Sequence, residues 1–215
     1  MKNKDLSACM PLFFTVVGFA GIGYLMIYRI LRLENELEQV LGGLTCILYL
    51  SWVIWEMRIS IDELHKEEAK LDRHTMEICA IVKISLLIAL FAGGGTFSIR
   101  LAIIGIVIMM AGVFTRGFAI KKLGRVYSHR IREVGDNIVT VGPYKIIRHP
   151  AYLGTLIAHT GITIVFLNHF SLVALSLWYL AVFMRVIVED NWLLKEPKYR
   201  IFAARVRWRF IPYVW

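Results

Sequence analysis

The chain has 215 residues, of which 58% are hydrophobic, with a mean hydropathy of +0.62 and a formal net charge of +9. Soluble domains carry about 45–50% apolar residues. The excess is gathered into long runs, which excludes an ordinary water-soluble globule and indicates a membrane-embedded chain. The basic surplus calls for no nucleic acid, because its placement follows a membrane topology and anionic lipid accounts for the rest.

Apolar stretches at 10–31, 40–57, 78–97, 99–120, 151–167 and 170–188 are long enough, or nearly so, to cross a bilayer. The expected fold is an all-α integral membrane protein with about six transmembrane helices, or five if the short stretch 151–167 does not cross. The first run follows a short Lys-containing start. It is too long for a signal peptide and lacks a small-residue cleavage site, so it reads as an uncleaved span. With the amino terminus placed in the cytoplasm, all but four of the 25 lysines and arginines (Arg29, Arg32, Arg100 and Lys83) fall on the inside. The positive-inside rule then sets both termini and the segment 121–150 in the cytoplasm.

The first four spans carry little chemistry. Gly18-Phe-Ala-Gly21-Ile-Gly23 lies inside a spanning run with no strand before it, so it reads as close helix packing rather than a dinucleotide loop. The stretch 58–75 carries both charge signs and reads as a short solvated helix. His65, Glu68 and His74 within it fit no metal-ligand spacing. Cys9, Cys46 and Cys79 are scattered, with no CxxC and no disulfide framework. No metal is expected, and an HxxxH box is absent from the sequence.

The character changes after residue 116. A polar connector over 121–141, punctuated by Gly124 and Gly135, leads into Gly142-Pro-Tyr-Lys-Ile-Ile-Arg-His-Pro-Ala-Tyr-Leu-Gly154. Pro143 and Pro150 each fix their own φ and turn the preceding residue away from helix, so they bracket a rigid turn. Tyr144, Arg148, His149 and Tyr152 lie in or beside it, at the mouth of a spanning segment. Two spans joined only around Asn168-His169-Phe170 then form a hairpin, and a basic, aromatic tail follows from Glu189 to Trp215, with a short helix expected from Pro197. His159 and His169 read as packing and interface residues.

Arg185 and Glu189 are four residues apart, on one face of the last span. The hairpin can bring them beside Arg148, His149 and Tyr152. Ionisable groups at such a depth are expensive, and function is the usual reason for them. The carboxylate and aromatic faces suit a cation, whereas the arginines suit a carboxylate or phosphate.

The run Asp136-Asn-Ile138-Val139 through Arg148-His149-Pro150-Ala151-Tyr152, then Arg185-x-x-x-Glu189, Tyr199, Val206 and Ile211-Pro212, resembles the isoprenylcysteine carboxyl methyltransferase family over about residues 105–213. The resemblance implies amino-terminal transmembrane helices over 1–100 and a methyltransferase core over 101–215, with a cytoplasmic carboxy-terminal catalytic region. It implies S-adenosylmethionine as methyl donor, a lipophilic or prenylated acceptor such as an isoprenylcysteine carboxylate, and the bilayer as partner. Asp136, Ile138, Val139, Tyr144, Arg148, His149, Ala151, Tyr152 and Glu189 would line the donor pocket. Arg185 would orient the acceptor and, with Glu189, form the catalytic pair. Asp190 stands where the family usually has a second acid, Glu196-Pro197 where it often has Gly, and Phe202 where it has a second tail Tyr. Open beside this reading are a phospholipid or small-thiol methyltransferase, an NADPH-dependent reductase of the sterol-reductase type, and a non-catalytic scaffold. Oligomeric state leaves no trace in the sequence.

Overall fold

The structure is a computed structural model that describes residues 10–63, 74–124, 127 and 138–215. Among these residues the chain is helical: α1 (Met10–Leu31), α2 (Glu36–Glu63), α3 (Thr75–Ala92), α4 (Ile99–Leu123), a 3-10 turn (Gly142–Lys145), α5 (Pro150–Val165), α6 (His169–Leu193) and α7 (Pro197–Arg205). Four of them, α2 over Glu36–Arg58, α3, α4 and α6, are long and apolar enough to cross a membrane. Ala20–Leu31 within α1, and α5, are shorter apolar helices.

The third apolar run, 78–97, is divided. Its helix begins earlier, at Thr75, and stops at Ala92, because Gly94 and Gly95 adopt positive φ that ends the helix. The expected helix in the charged stretch 58–75 falls largely on residues 64–73, outside the described set. Its first residues, 58–63, continue α2.

Helices α4 and α5 pack through small residues. Gly105 and Gly112 on α4 meet Gly154, Ala158 and Gly161 on α5 so closely that a Cβ on Gly105 would lie 2.6 Å from the Gly161 carbonyl oxygen. One on Gly154 would lie 2.7 Å from the Gly112 oxygen. In lipid no hydrophobic effect drives helices together, so backbone approach of this kind supplies the van der Waals contact. The α5–α6 hairpin is tight because Asn168 and Ser171 form a reciprocal capping box, at 2.9 and 3.0 Å, that starts α6 at once. The Asn168 amide also donates to the Ala89 carbonyl at 2.9 Å, pinning the hairpin tip to the last turn of α3.

Candidate active site

The Pro-bracketed turn forms as the sequence indicates. Gly142 has φ +62°, which favours glycine, Pro143 opens the 3-10 turn, and Pro150 takes the first position of α5 after His149. Its far side is clipped to the tail: the Arg148 N–H donates to the Trp208 carbonyl at 2.9 Å and the His149 N–H to that of Arg209 at 3.0 Å. The turn, the start of α5 and the tail are thus fixed to one another by backbone bonds before any side chain is considered.

At the end of α6 two adjacent carboxylates face different partners. Tyr152 donates to Glu189 Oε2 at 2.6 Å and accepts from Arg185 Nε at 3.2 Å, so its phenol stands between the two α6 groups. Arg185 Nη1 donates to the Thr75 hydroxyl at 2.7 Å, which brings α3 into the site. The Glu189 carboxylate keeps 23% of its side chain exposed, and His149 Nδ1 is 4.0 Å from its Oε1.

Asp190, fully buried, is the hub of the other half. Its Oδ1 contacts His149 Nε2 at 3.2 Å and accepts from Tyr199 at 3.0 Å. Its Oδ2 accepts from Arg209 Nε at 2.9 Å and pairs with Arg148 Nη2 at 3.2 Å. The turn, α6, α7 and the tail therefore meet on one carboxylate. Burial, with Asp190 adding to it, holds the Tyr199 phenol well above its ordinary pKa, so it remains a donor.

Of the residues singled out in sequence, Tyr144, Arg148, His149, Ala151, Tyr152, Arg185 and Glu189 gather at this end of the bundle. Tyr144 packs with Ala151, Ala119 and Val139. Burial, with Glu189 contributing, pushes its phenol up as well. Ile138, next along an extended segment, turns instead to Tyr199, Phe202 and Val206. It lines a cavity of about 480 Å³ whose rim carries Lys145, Lys198 and Arg205. Asp136 lies outside the described residues. His159 is wholly buried in helix packing, as expected.

Sequence reasoning missed the amino-terminal contributors. Arg116 on α4 pairs with Glu56 on α2, and donates to the Ala151 carbonyl and the Tyr127 hydroxyl, each at 3.1 Å. It therefore braces the first turn of α5, where the site residues sit. The available signal was two ionisable residues inside apolar runs. Among the described residues no group of His, Cys, Asp and Glu is arranged to hold a metal ion.

Residues 103–195 match the family model of the isoprenylcysteine carboxyl methyltransferase (ICMT) family. A probable protein-S-isoprenylcysteine O-methyltransferase of Oryza sativa subsp. indica is 30% identical over 109 residues, covering 48% of this chain and 57% of that protein. Protein-S-isoprenylcysteine O-methyltransferase B of Arabidopsis thaliana is 32% identical over 108 residues, 47% of this chain and 55% of the relative. The match thus spans little more than half the length of these curated relatives. The solved structure of a eukaryotic intramembrane Ras methyltransferase, ICMT, superposes with a TM-score of 0.56 at 19% identity, over 99% of this chain and 88% of that one. The chain is a multi-pass membrane protein with this fold, and its segment 103–195 carries the pattern of the isoprenylcysteine carboxyl methyltransferase family.

Proposed function

We propose that this protein is an S-adenosylmethionine-dependent methyltransferase that esterifies the carboxylate of a lipophilic acceptor at the membrane–cytosol boundary, with isoprenylcysteine the foremost candidate. The observation that carries the reading is the Arg185–Tyr152–Glu189 chain, which sets a cation and a partly open carboxylate on either side of one phenol. The residues fit a sulfonium donor. Glu189 offers charge, Tyr144, Tyr152 and His149 offer aromatic faces, and Arg148 Nε is buried with no partner among the described residues, suited to the donor's own carboxylate. When bound, the donor supplies an electrophilic methyl group.

The chain's own work is alignment. Arg185, held by Thr75 and Tyr152, orients the acceptor carboxylate; fixing two reactants in line can lower a barrier by about 7–11 kcal/mol at best. A carboxylate with pKa about 3.3–4.3 is already ionised at neutral pH and needs no base. An amine or thiol acceptor would need one, and the nearby candidates are already engaged, His149 with Asp190 and Glu189 with Tyr152. This favours the carboxyl acceptor over the phospholipid or thiol readings. Nothing in the fold or the comparisons favours the reductase.

Purified protein in nanodiscs is expected to bind S-adenosylmethionine and its demethylated product by calorimetry, and Glu189→Ala to lose that binding. A labelled-methyl assay against prenylcysteine, phospholipid and thiol acceptors is expected to label the prenylcysteine. Absence of binding to both donor and product would overturn the reading.

A further inference from the structure

The cavity of about 480 Å³ beside Ile138 backs onto the donor site and is lined by none of that site's charged groups. Along the extended segment 138–141 the side chains take opposite sides. Val139 packs with Tyr144 and Ala151 on the donor side, whereas Ile138 packs with Tyr199, Phe202 and Val206. Ile138 and Thr140 line the cavity, and Val139 does not. One short segment therefore forms the wall between the two.

The lining suits an anionic amphiphile. Its floor is apolar, from Ile138, Phe202 and Val206, and its rim is cationic, from Lys145, Lys198 and Arg205. None of the described residues lining it is acidic. The volume falls within the range of about 300–1,000 Å³ usual for ligand sites, enough for a headgroup but not for a whole lipid. On α7, Lys198, Ile201 and Arg205 follow at three- and four-residue steps, so one helix face presents cation, apolar side chain, cation. Helices that lie in a membrane surface carry this combination.

The position agrees with the chemistry. Helix α7 starts at Pro197, four residues after the last residue of the spanning helix α6. Trp192, in the last turn of α6, has the Lys195 ammonium 4.2 Å from its ring centroid, an aromatic–cation pair suited to the headgroup layer. Beside the rim, Val141, Ile146 and Ile201 are 48%, 58% and 58% exposed. Large apolar side chains grouped open beside cations favour contact with a bilayer surface over water.

We propose that this cavity binds the phosphate-bearing headgroup of an anionic phospholipid from the cytosolic leaflet, and that its occupancy clamps segment 138–141 against α7. Lys145, Lys198 and Arg205 take the headgroup charge, and the acyl chains leave past Ile201 into the bilayer. Ile138 and Val139 are neighbours, so fixing one orders the other. Tyr199 carries the same constraint to Asp190 through its 3.0 Å hydrogen bond. Bound lipid thus favours the ordered donor wall, and by linkage a molecule in the donor site favours lipid binding. The coupling rests on the methyltransferase reading; the lipid site does not.

The test follows the melting temperature of purified protein in detergent as dioctanoyl phosphatidylglycerol, dioctanoyl phosphatidylcholine or inorganic phosphate is added. Phosphatidylglycerol is expected to raise it saturably, and the other two to leave it little changed. The double variant Lys198→Gln, Arg205→Gln is expected to raise the midpoint lipid concentration about tenfold, and Lys145→Gln to raise it less. Arg200→Gln with Arg207→Gln removes the same charge from exposed positions outside the cavity and is expected to keep the response. Equal stabilisation by the two lipids, an equal effect of inorganic phosphate, or equal losses in both double variants overturns the site. In nanodiscs, the demethylated product has no net charge and is not concentrated by an anionic surface. Calorimetry is expected to show it binding about fivefold more tightly when phosphatidylglycerol is present. A lipid response with unchanged product affinity overturns the coupling. A lipid response without product binding in any lipid supports the site and counts against the methyltransferase reading alone.

Discussion

Tyr152 is the residue on which the site's electrostatics turn, because one hydroxyl serves both Arg185 and Glu189. Tyr152→Phe keeps the ring and removes both bonds. Hydrogen bonds to charged groups are worth about 1.5–3 kcal/mol, so kcat/KM is expected to fall at least about tenfold in the labelled-methyl assay, with little change in melting temperature. Asp190→Asn acts differently. It removes a buried charge that Arg148 and Arg209 compensate, and breaking such a pair costs about 3–5 kcal/mol. It is expected to lower the melting temperature markedly as well as the activity. The two variants thus separate a positioning phenol from a structural hub. The phenol and its partners were legible in the sequence, since the turn and the Arg-x-x-x-Glu spacing lie in two short segments. The hub was not. Asp190 stood out only as a second acid, and its partners Tyr199 and Arg209 reach it through the return of the tail across the turn. No local pattern encodes that return.

At the scale of elements, the site depends on how closely α4 and α5 approach, for α4 carries the Arg116 that holds the Ala151 carbonyl. Gly161→Leu puts a side chain where even a Cβ would lie 2.6 Å from the Gly105 oxygen, so the helices must separate. Overpacking of this kind costs about 1–3 kcal/mol or more. A lower melting temperature in detergent is expected, accompanied by loss of donor binding as the first turn of α5 shifts. Gly43→Ala on α2 is the contrast. Nothing lies within 4 Å of the added methyl, and alanine is favoured over glycine in helix by up to about 1 kcal/mol. That variant is expected to melt at the same temperature or higher; equal losses in both would refute the close-packing account. The helices themselves were readable from apolar run length, but the pairing was not, because a row of glycines marks close approach without naming its partner.

For the whole molecule, the question left by the apolar runs is whether the short helix α5 reaches the far side. Its 16 residues give about 24 Å, less than the roughly 30 Å of a hydrocarbon core. The packing argues that it does reach. The hairpin tip is tied by Asn168 to the Ala89 carbonyl near the end of α3, while Arg185 on α6 is tied to Thr75 at the start of α3. Helix α3 is long and apolar enough to cross, so the hairpin beside it must traverse nearly the same depth, with local thinning of the bilayer making up the difference. The eight residues of α6 beyond Arg185 then project toward the side where Asp190 meets the tail. Paired cysteine variants test this. Phe170 at the tip is 69% exposed and Lys198 on α7 is exposed. Phe170→Cys is expected to react with a membrane-impermeant maleimide on intact cells, and Lys198→Cys only after permeabilisation, as the positive-inside rule requires of a basic tail. Labelling of both from the same face would make α5 and α6 a re-entrant pair.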